Sequence, residues 1–315
     1  MSTPSTSQPT PPVDALRASG LMLASALLFG LMSLTIRLAS AEIHPFEIAF
    51  FRNLFGLLFA LPLLYRAGFS VLKTDRIGLY FIRCVVGLSA MLTGFWSLVH
   101  LPLAQAVALG FTTPLFVTIG AVIFLGEIVR ARRWSAVIIG FFGALIIIKP
   151  WSADLGAMLA AGTLIALASA LLSASAAISV KFLARTEPAL AIVIYMVLIM
   201  TPLSLIPALY VWTWPSPTSW CWLALTGGLG TVAHMLMTRA FQLGDVSALT
   251  PINFVQLPVV AIGAWLLFAE SIDRYTLIGA MVIFSATIYI AQRERVLARR
   301  IITDAQISQE AKISR

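Results

Sequence analysis

LPLAQAVALGFTTPLFVTIGAVIFLGE, residues 101–127, has a second copy in the same chain: GDVSALTPINFVQLPVVAIGAWLLFAE, residues 244–270. A shift of 143 positions lays Gly120 on Gly263 and Glu127 on Glu270. The same shift lays Pro45 on Pro188, Gly87 on Gly230 and Ala90 on Ala233. At 144, Ser25-Ala26-Leu27-Leu28 falls on Ser169-Ala170-Leu171-Leu172, and Arg37 falls on Lys181. The chain is one unit of about 143 residues written twice, so what one copy is made of decides the fold.

Each copy is made of membrane-length helices. Hydrophobic residues make up 60% of the 315 and charged residues 11%, with a mean hydropathy of +0.95, where a soluble domain carries about 25% charged residues. Ten apolar blocks run at roughly 19–39, 46–65, 77–99, 102–126, 134–150, 156–181, 189–212, 219–241, 246–269 and 275–292. Most are near the ~20 residues a helix needs to cross the hydrocarbon, and far longer than a barrel strand. The spacing predicts an all-α polytopic membrane protein of ten transmembrane helices in two five-helix repeats, residues 18–150 and 151–292. Residues 1–17, rich in Ser, Thr and Pro and without a signal-peptide core, read as a disordered cytoplasmic tail, and 293–315 as a basic cytoplasmic tail.

Lys and Arg set the orientation. With the N-terminus inside, sixteen basic residues fall on the inner side and three on the outer (Arg37, Lys149 and Arg274), while Arg52 and Arg83 lie within helices. That bias puts both termini in the cytoplasm and makes the net charge of +8 topological, not a nucleic-acid footprint. Five helices per repeat is an odd number, so the second copy is inverted relative to the first, the build of secondary transporters with a site near the midplane.

The ten helices, the tandem units and the fourth helix together resemble the EamA-type members of the drug/metabolite transporter superfamily. That helix carries Ala104, Ala106, Pro114-Leu115-Phe116 and Gly126-Glu127, followed by Arg132-Arg133-Trp134. The second copy keeps Ser247-Ala248, Pro258 and Glu270, then Arg274-Tyr275; it moves the proline one place, adds Pro251 and puts Ala269 before the glutamate. The resemblance covers residues 18–292 and implies an inverted-repeat bundle with a central cavity lined by helices 1, 3, 4, 6, 8 and 9, helices 5 and 10 being peripheral. It implies a carrier of small solutes: exporters of amino acids and other metabolites, and importers of compounds such as riboflavin or S-adenosylmethionine.

Polar residues inside apolar helices are the candidate substrate contacts. Arg83 sits about six residues into helix 3; burying it costs roughly 2.5 kcal/mol or more unless it faces a cavity or a partner, so it is expected to attract a carboxylate or phosphate, or else to snorkel. Arg52, about as deep in helix 2, is the weaker candidate. Pro114 and Pro258 each remove a helix hydrogen bond, giving break points at which the halves flex. Thr113 and Gln256 stand beside them at the 143 offset, with Asn253 one turn from Gln256, and form a polar patch or tie helices together. His234, mid-helix 8, either couples protons or bonds a neighbouring helix. Trp96 lines the cavity or packs. Glu127 and Glu270 read as structural, starting the next helix or pairing with Arg132, Arg133 or Arg274.

No P-loop occurs, Cys84 and Cys221 lack metal spacing, and no clustered His/Asp/Glu or Ser/His/Asp set is present. The expectation is therefore no enzyme, no cofactor and no metal. The partners expected are a small-molecule substrate, the lipid bilayer and a second copy of the chain. The function expected is alternating-access transport of a small amphipathic or amino-acid-like metabolite across the bacterial inner membrane, as export. Uptake of a vitamin- or nucleoside-like metabolite is the first alternative, a membrane scaffold or enzyme the second. Coupling runs through His234, by exchange, or not at all.

Overall fold

The computed structural model describes residues 12–125, 131–148, 157–183, 186–243 and 249–289. Helices α1 (Pro12–Ala39), α2 (Pro45–Ala67), α3 (Ile77–His100), α4 (Leu103–Gly110), α5 (Thr113–Leu125) and α6 (Ala131–Ile148) form the first half. Helices α7 (Ala157–Leu183), α8 (Ala189–Leu209), α9 (Pro217–Leu243), α10 (Gln256–Phe268) and α11 (Arg274–Tyr289) form the second. Among the described residues six helices are long and apolar enough to cross a membrane, and four shorter apolar stretches, 103–117, 137–148, 252–268 and 274–289, fall in the other blocks read from the sequence. The helical register of α1 begins at Pro12, inside the stretch expected to be tail. Residues 293–315, Glu127, Arg130, Lys149 and Arg185 lie outside the described residues.

The two halves exchange helices. α1 packs most extensively on α9, and α3 on α7, so the inner helices of one half find their main partners in the other. The exchange is symmetric at the level of single hydrogen bonds. Ser25 Oγ donates to the Ala233 carbonyl at 2.8 Å, and its repeat counterpart Ser169 donates to the counterpart carbonyl, Ala90, also at 2.8 Å. Phe111 and Phe254, one repeat length apart, stack directly on each other with ring centroids 4.1 Å apart. The pseudo-two-fold relation thus runs through that pair. Around it lies the largest apolar core, including Leu103, Leu109, Ala144, Ile147, Val260 and Ile283.

The fourth and ninth apolar blocks are both broken, though not at the prolines. α4 ends at Gly110 and α5 starts at Thr113, so Pro114 occupies its first turn. In the second half a 3-10 turn over Thr250–Val255 leads into α10, whose first turn holds Pro258. A proline lacks only an N–H that the first turn leaves free in any case. The break comes before each proline, and the proline opens the following half-helix. Thr112 and Thr113 donate their hydroxyls to the carbonyls of Leu109 and Gly110, satisfying the end of α4.

The peripheral position expected for the fifth and tenth blocks is visible in α6 and α11. Gly143 and Gly279 let their backbones meet, each lacking a side chain where the other's carbonyl sits. Their outward residues, among them Ile138, Phe142, Ile278 and Met281, are exposed apolar surface suited to lipid.

Candidate functional site

At the end of the bundle opposite the N-terminus (the far end), hydrogen bonds cross between the halves. Arg37 Nη2 pairs with Glu270 Oε1 at 2.7 Å, while Nη1 donates to the carbonyls of Leu98, Val99 and Leu101 where α3 finishes. Glu270 Oε2 accepts the Leu103 N–H at 2.9 Å, at the start of α4. One pair therefore joins α1, α3, α4 and the end of α10. The partner of Glu270 is Arg37 from the other half, rather than the nearby Arg274 considered from the sequence. The backbone turns to present it: Ala269 adopts φ 53 in the left-handed region, and the N–H of Glu270 bonds back to Ala264. Beside this knot, Glu47 Oε2 accepts from Thr213 N and Oγ1. Glu42 Oε2 accepts from Ser216 and Ser219 at 2.6 Å.

Below that knot lies a buried polar cluster contributed by α2, α3, α8 and α9. Arg52 is 3% exposed and Arg83 7%, so neither snorkels. Arg52 Nη1 donates to Asn53 Oδ1 at 2.9 Å, and Asn53 Nδ2 donates to Ser204 on α8. Arg83 Nη2 points at the Met196 thioether, 3.3 Å away. The charge of Arg83 reaches Arg52, and both charges reach His234, whose ring sits edge-on to Phe29 at 4.9 Å. Arg52 Nε, Arg83 Nε and Nη1, and Thr231 Oγ1 are buried with no hydrogen-bond partner.

Repeat-related glycines flank these guanidiniums. A side chain at Gly230 would lie about 3.0 Å from Arg52 Nε and 2.9 Å from the Met32 sulfur; one at Gly87 would lie 4.0 Å from Arg83 Nη1 and from Met200 Cε. The positions are equivalent, yet the packing around Gly230 is tighter. α2 is likewise pressed onto α9, where Gly227 faces Phe55, Arg52 O and Gly56 N. The α2–α9 contact is more extensive than its repeat counterpart, α3–α8.

The structure gathers Arg83 and His234 with Arg52, which the sequence ranked low. Nothing in the sequence shows that α2 faces both α8 and α9; the signal that could have found Arg52 is the one that found Arg83, a buried guanidinium without a carboxylate nearby. Trp96 is not part of the cluster. It lies thirteen residues beyond Arg83 on α3, about 20 Å at 1.5 Å per residue, stacked on His100 at 3.9 Å. Thr113 spends its hydroxyl on Gly110. Asn253 and Gln256 are half-buried at the second helix break, and Asn253 Oδ1 is unpartnered. The Gln256 carbonyl approaches Gly30 of α1, next to Phe29, which touches His234.

Among the described residues no group of three or more His, Cys, Asp or Glu is placed to hold a metal. The profile of the EamA-like transporter family matches residues 16–149 and again 160–292. The chain belongs to that family. It is a multi-pass membrane transporter of the drug/metabolite type rather than an enzyme, and what it moves is a small metabolite.

Relatives of this EamA-family chain differ in cargo. It is 30% identical over 254 residues to an S-adenosylmethionine uptake transporter of Rickettsia felis, covering 81% of this chain and 85% of that one. It is 31% identical over 255 residues to a riboflavin transporter of Brucella anthropi, with 78% and 88% covered. A pseudopaline exporter of Pseudomonas aeruginosa is 28% identical over 282 residues, with 88% and 97% covered. A solved crystal structure superposes with a TM-score of 0.66 at 18% identity, covering 90% of this chain and 98% of the other, which speaks for the fold alone.

Proposed function

We propose that the chain is a secondary transporter of the bacterial inner membrane, both termini cytoplasmic, that exports small amphipathic or amino-acid-like metabolites by alternating access. The observation that carries this is the asymmetry of two repeats built alike. At the far end Arg37 and Glu270 hold four elements of both halves together, and α2 is pressed onto α9, while the equivalent α3–α8 contact is looser. Symmetric halves in unequal contact are what one state of a rocking cycle looks like.

Direction follows the gradient of the cargo. Among the described residues no Asp or Glu lies in the middle of a span, so none of them offers the mid-membrane carboxylate that pumps use to relay protons. A metabolite accumulated in the cell would run outward. Uptake is the second reading, supported by the uptake activity in the name of the Rickettsia relative.

The test is counterflow in proteoliposomes holding the full chain, loaded with each member of a panel of amino acids, nucleosides, flavins and organic acids. The expected result is accelerated exchange of at least one solute over empty liposomes. No solute moving faster than through the lipid alone would overturn transport. Efflux against uptake in intact cells then separates the two directions.

A further inference from the structure

We infer that the cluster of Arg52 and Arg83 is a receptor for an oxyanion group, a carboxylate or phosphate, attached to an apolar body; only the movement of the bound ligand rests on the transporter reading. Three independent observations carry this. Both guanidiniums are more than nine-tenths buried and present three nitrogens with no partner: Arg52 Nε, Arg83 Nε and Arg83 Nη1. The groups they do meet are an amide oxygen, a thioether and the Cys84 thiol, none of them a carboxylate. A buried cation without a counterion is strongly unfavourable, and an anionic ligand supplies what is missing. Guanidinium forks match carboxylate and phosphate oxygens in geometry.

The second observation is a break in the repeat symmetry. Where α1 meets α9, the hydroxyls of Thr35 and Thr226 lie 2.8 Å apart. The matched place between α7 and α3 holds Ser179, whose hydroxyl turns to its own helix at Ser175, and Arg83 in the position of Thr226. An uncharged helix-to-helix contact in one copy is thus a guanidinium without a carboxylate partner in the other.

The third is what surrounds the charges. The Met196 sulfur meets Arg83, Met200 Cε and Ala176 Cβ stand beside Gly87, and Met32 Sδ is packed against Gly230. Thioether side chains adapt to irregular apolar shapes and offer only weak acceptors. The site therefore specifies the charged head closely and the apolar body loosely.

Thermal unfolding of the purified full chain in nanodiscs tests this with succinate, hexanoate and inorganic phosphate as probes, against hexanamide and sodium chloride at matched ionic strength. Hexanoate, and succinate or phosphate with it, should raise the melting temperature saturably, and hexanamide and chloride should not. Arg52→Gln and Arg83→Gln should each weaken the apparent affinity roughly ten- to a hundredfold, while raising the melting temperature of the ligand-free protein, because each removes an uncompensated buried charge. A structural arginine would lower it. Arg83→Lys, which keeps the charge, should retain part of the binding. Equal shifts with hexanamide or chloride, no shift with any oxyanion, or unchanged affinity in both Gln variants would overturn the assignment. Saturable oxyanion binding with no counterflow leaves the receptor standing and removes transport; counterflow confined to uncharged solutes does the reverse.

Discussion

Arg37 and Glu270, 233 residues apart, form an ion pair at 2.7 Å that joins the end of α1 to the end of α10. The carboxylate oxygens of Glu270 and the terminal nitrogens of Arg37 divide their roles. One oxygen and one nitrogen make the pair, and the other two atoms hold backbone groups of residues 98–103.

Breaking that pair should loosen the far end. Glu270→Gln is expected to shift the balance toward far-side opening by about 1 kcal/mol, near the upper end for a partly exposed pair and roughly a fivefold change in population. The check is the rate at which an impermeant thiol reagent labels Trp96→Cys in a Cys221→Ser background. The reversed pair, Arg37→Glu with Glu270→Arg, should recover part of the slow rate. Labelling equally slow in Glu270→Gln would mean that the pair does not hold the end closed.

Ala269 carries a left-handed backbone, φ 53, to aim Glu270. Its repeat counterpart is Gly126. A side chain in that region costs about 1 kcal/mol, so Ala269→Gly should raise stability by about that amount without touching the cargo site. Thermal unfolding measures it, and a fall in melting temperature would contradict the geometry.

Gly227 has no space for a side chain: an added methyl would meet Phe55 Cβ, Arg52 O and Gly56 N, two of them backbone atoms. Gly227→Ala should force α2 off α9 and destabilise by about 1–3 kcal/mol. Gly78 of α3 has nothing within 4 Å, so Gly78→Ala should be neutral or mildly stabilising through helix propensity. Equal melting temperatures for the two variants would refute the close α2–α9 contact.

Acid should weaken the far end in two steps. Burial, then the neighbouring His100, hold the His44 imidazole below its ordinary value; hydrogen bonds from Ser216 and Ser219 hold the Glu42 carboxyl below its own. In both cases the folded pKa is the lower one. The contribution is complete above the unfolded pKa and is lost as pH falls: below 6.5 for His44 and below 4.5 for Glu42. Melting temperature followed from pH 8 downward should show both steps, with the upper one missing in His44→Gln and the lower one missing in Glu42→Gln.

The architecture was legible because a duplication leaves its offset in the sequence. Aligning Ser25 with Ser169 and Ala90 with Ala233 pairs the very atoms that bond across the exchanged helices. Arg83 was legible because a cation in an apolar helix needs a reason. The contacts that complete the picture join residues far apart in the chain. Glu270 could have turned to Arg274 four positions on, and only the packed bundle shows that Arg37 reaches it. The prolines misled by one turn, since sequence marks where a helix hydrogen bond is lost but not on which side the break falls.

The exchange of α1 with α9 and α3 with α7 also bears on how the molecule is made. The ribosome finishes the whole first half before α9 exists, and α1 must wait in lipid for its principal neighbour. A nascent first half therefore has its Ser25 hydroxyl and the cross-half face of α3 bare to the bilayer for seconds at ordinary elongation rates. Maturation is then a docking of two inserted halves, α1 onto α9 and α7 onto α3.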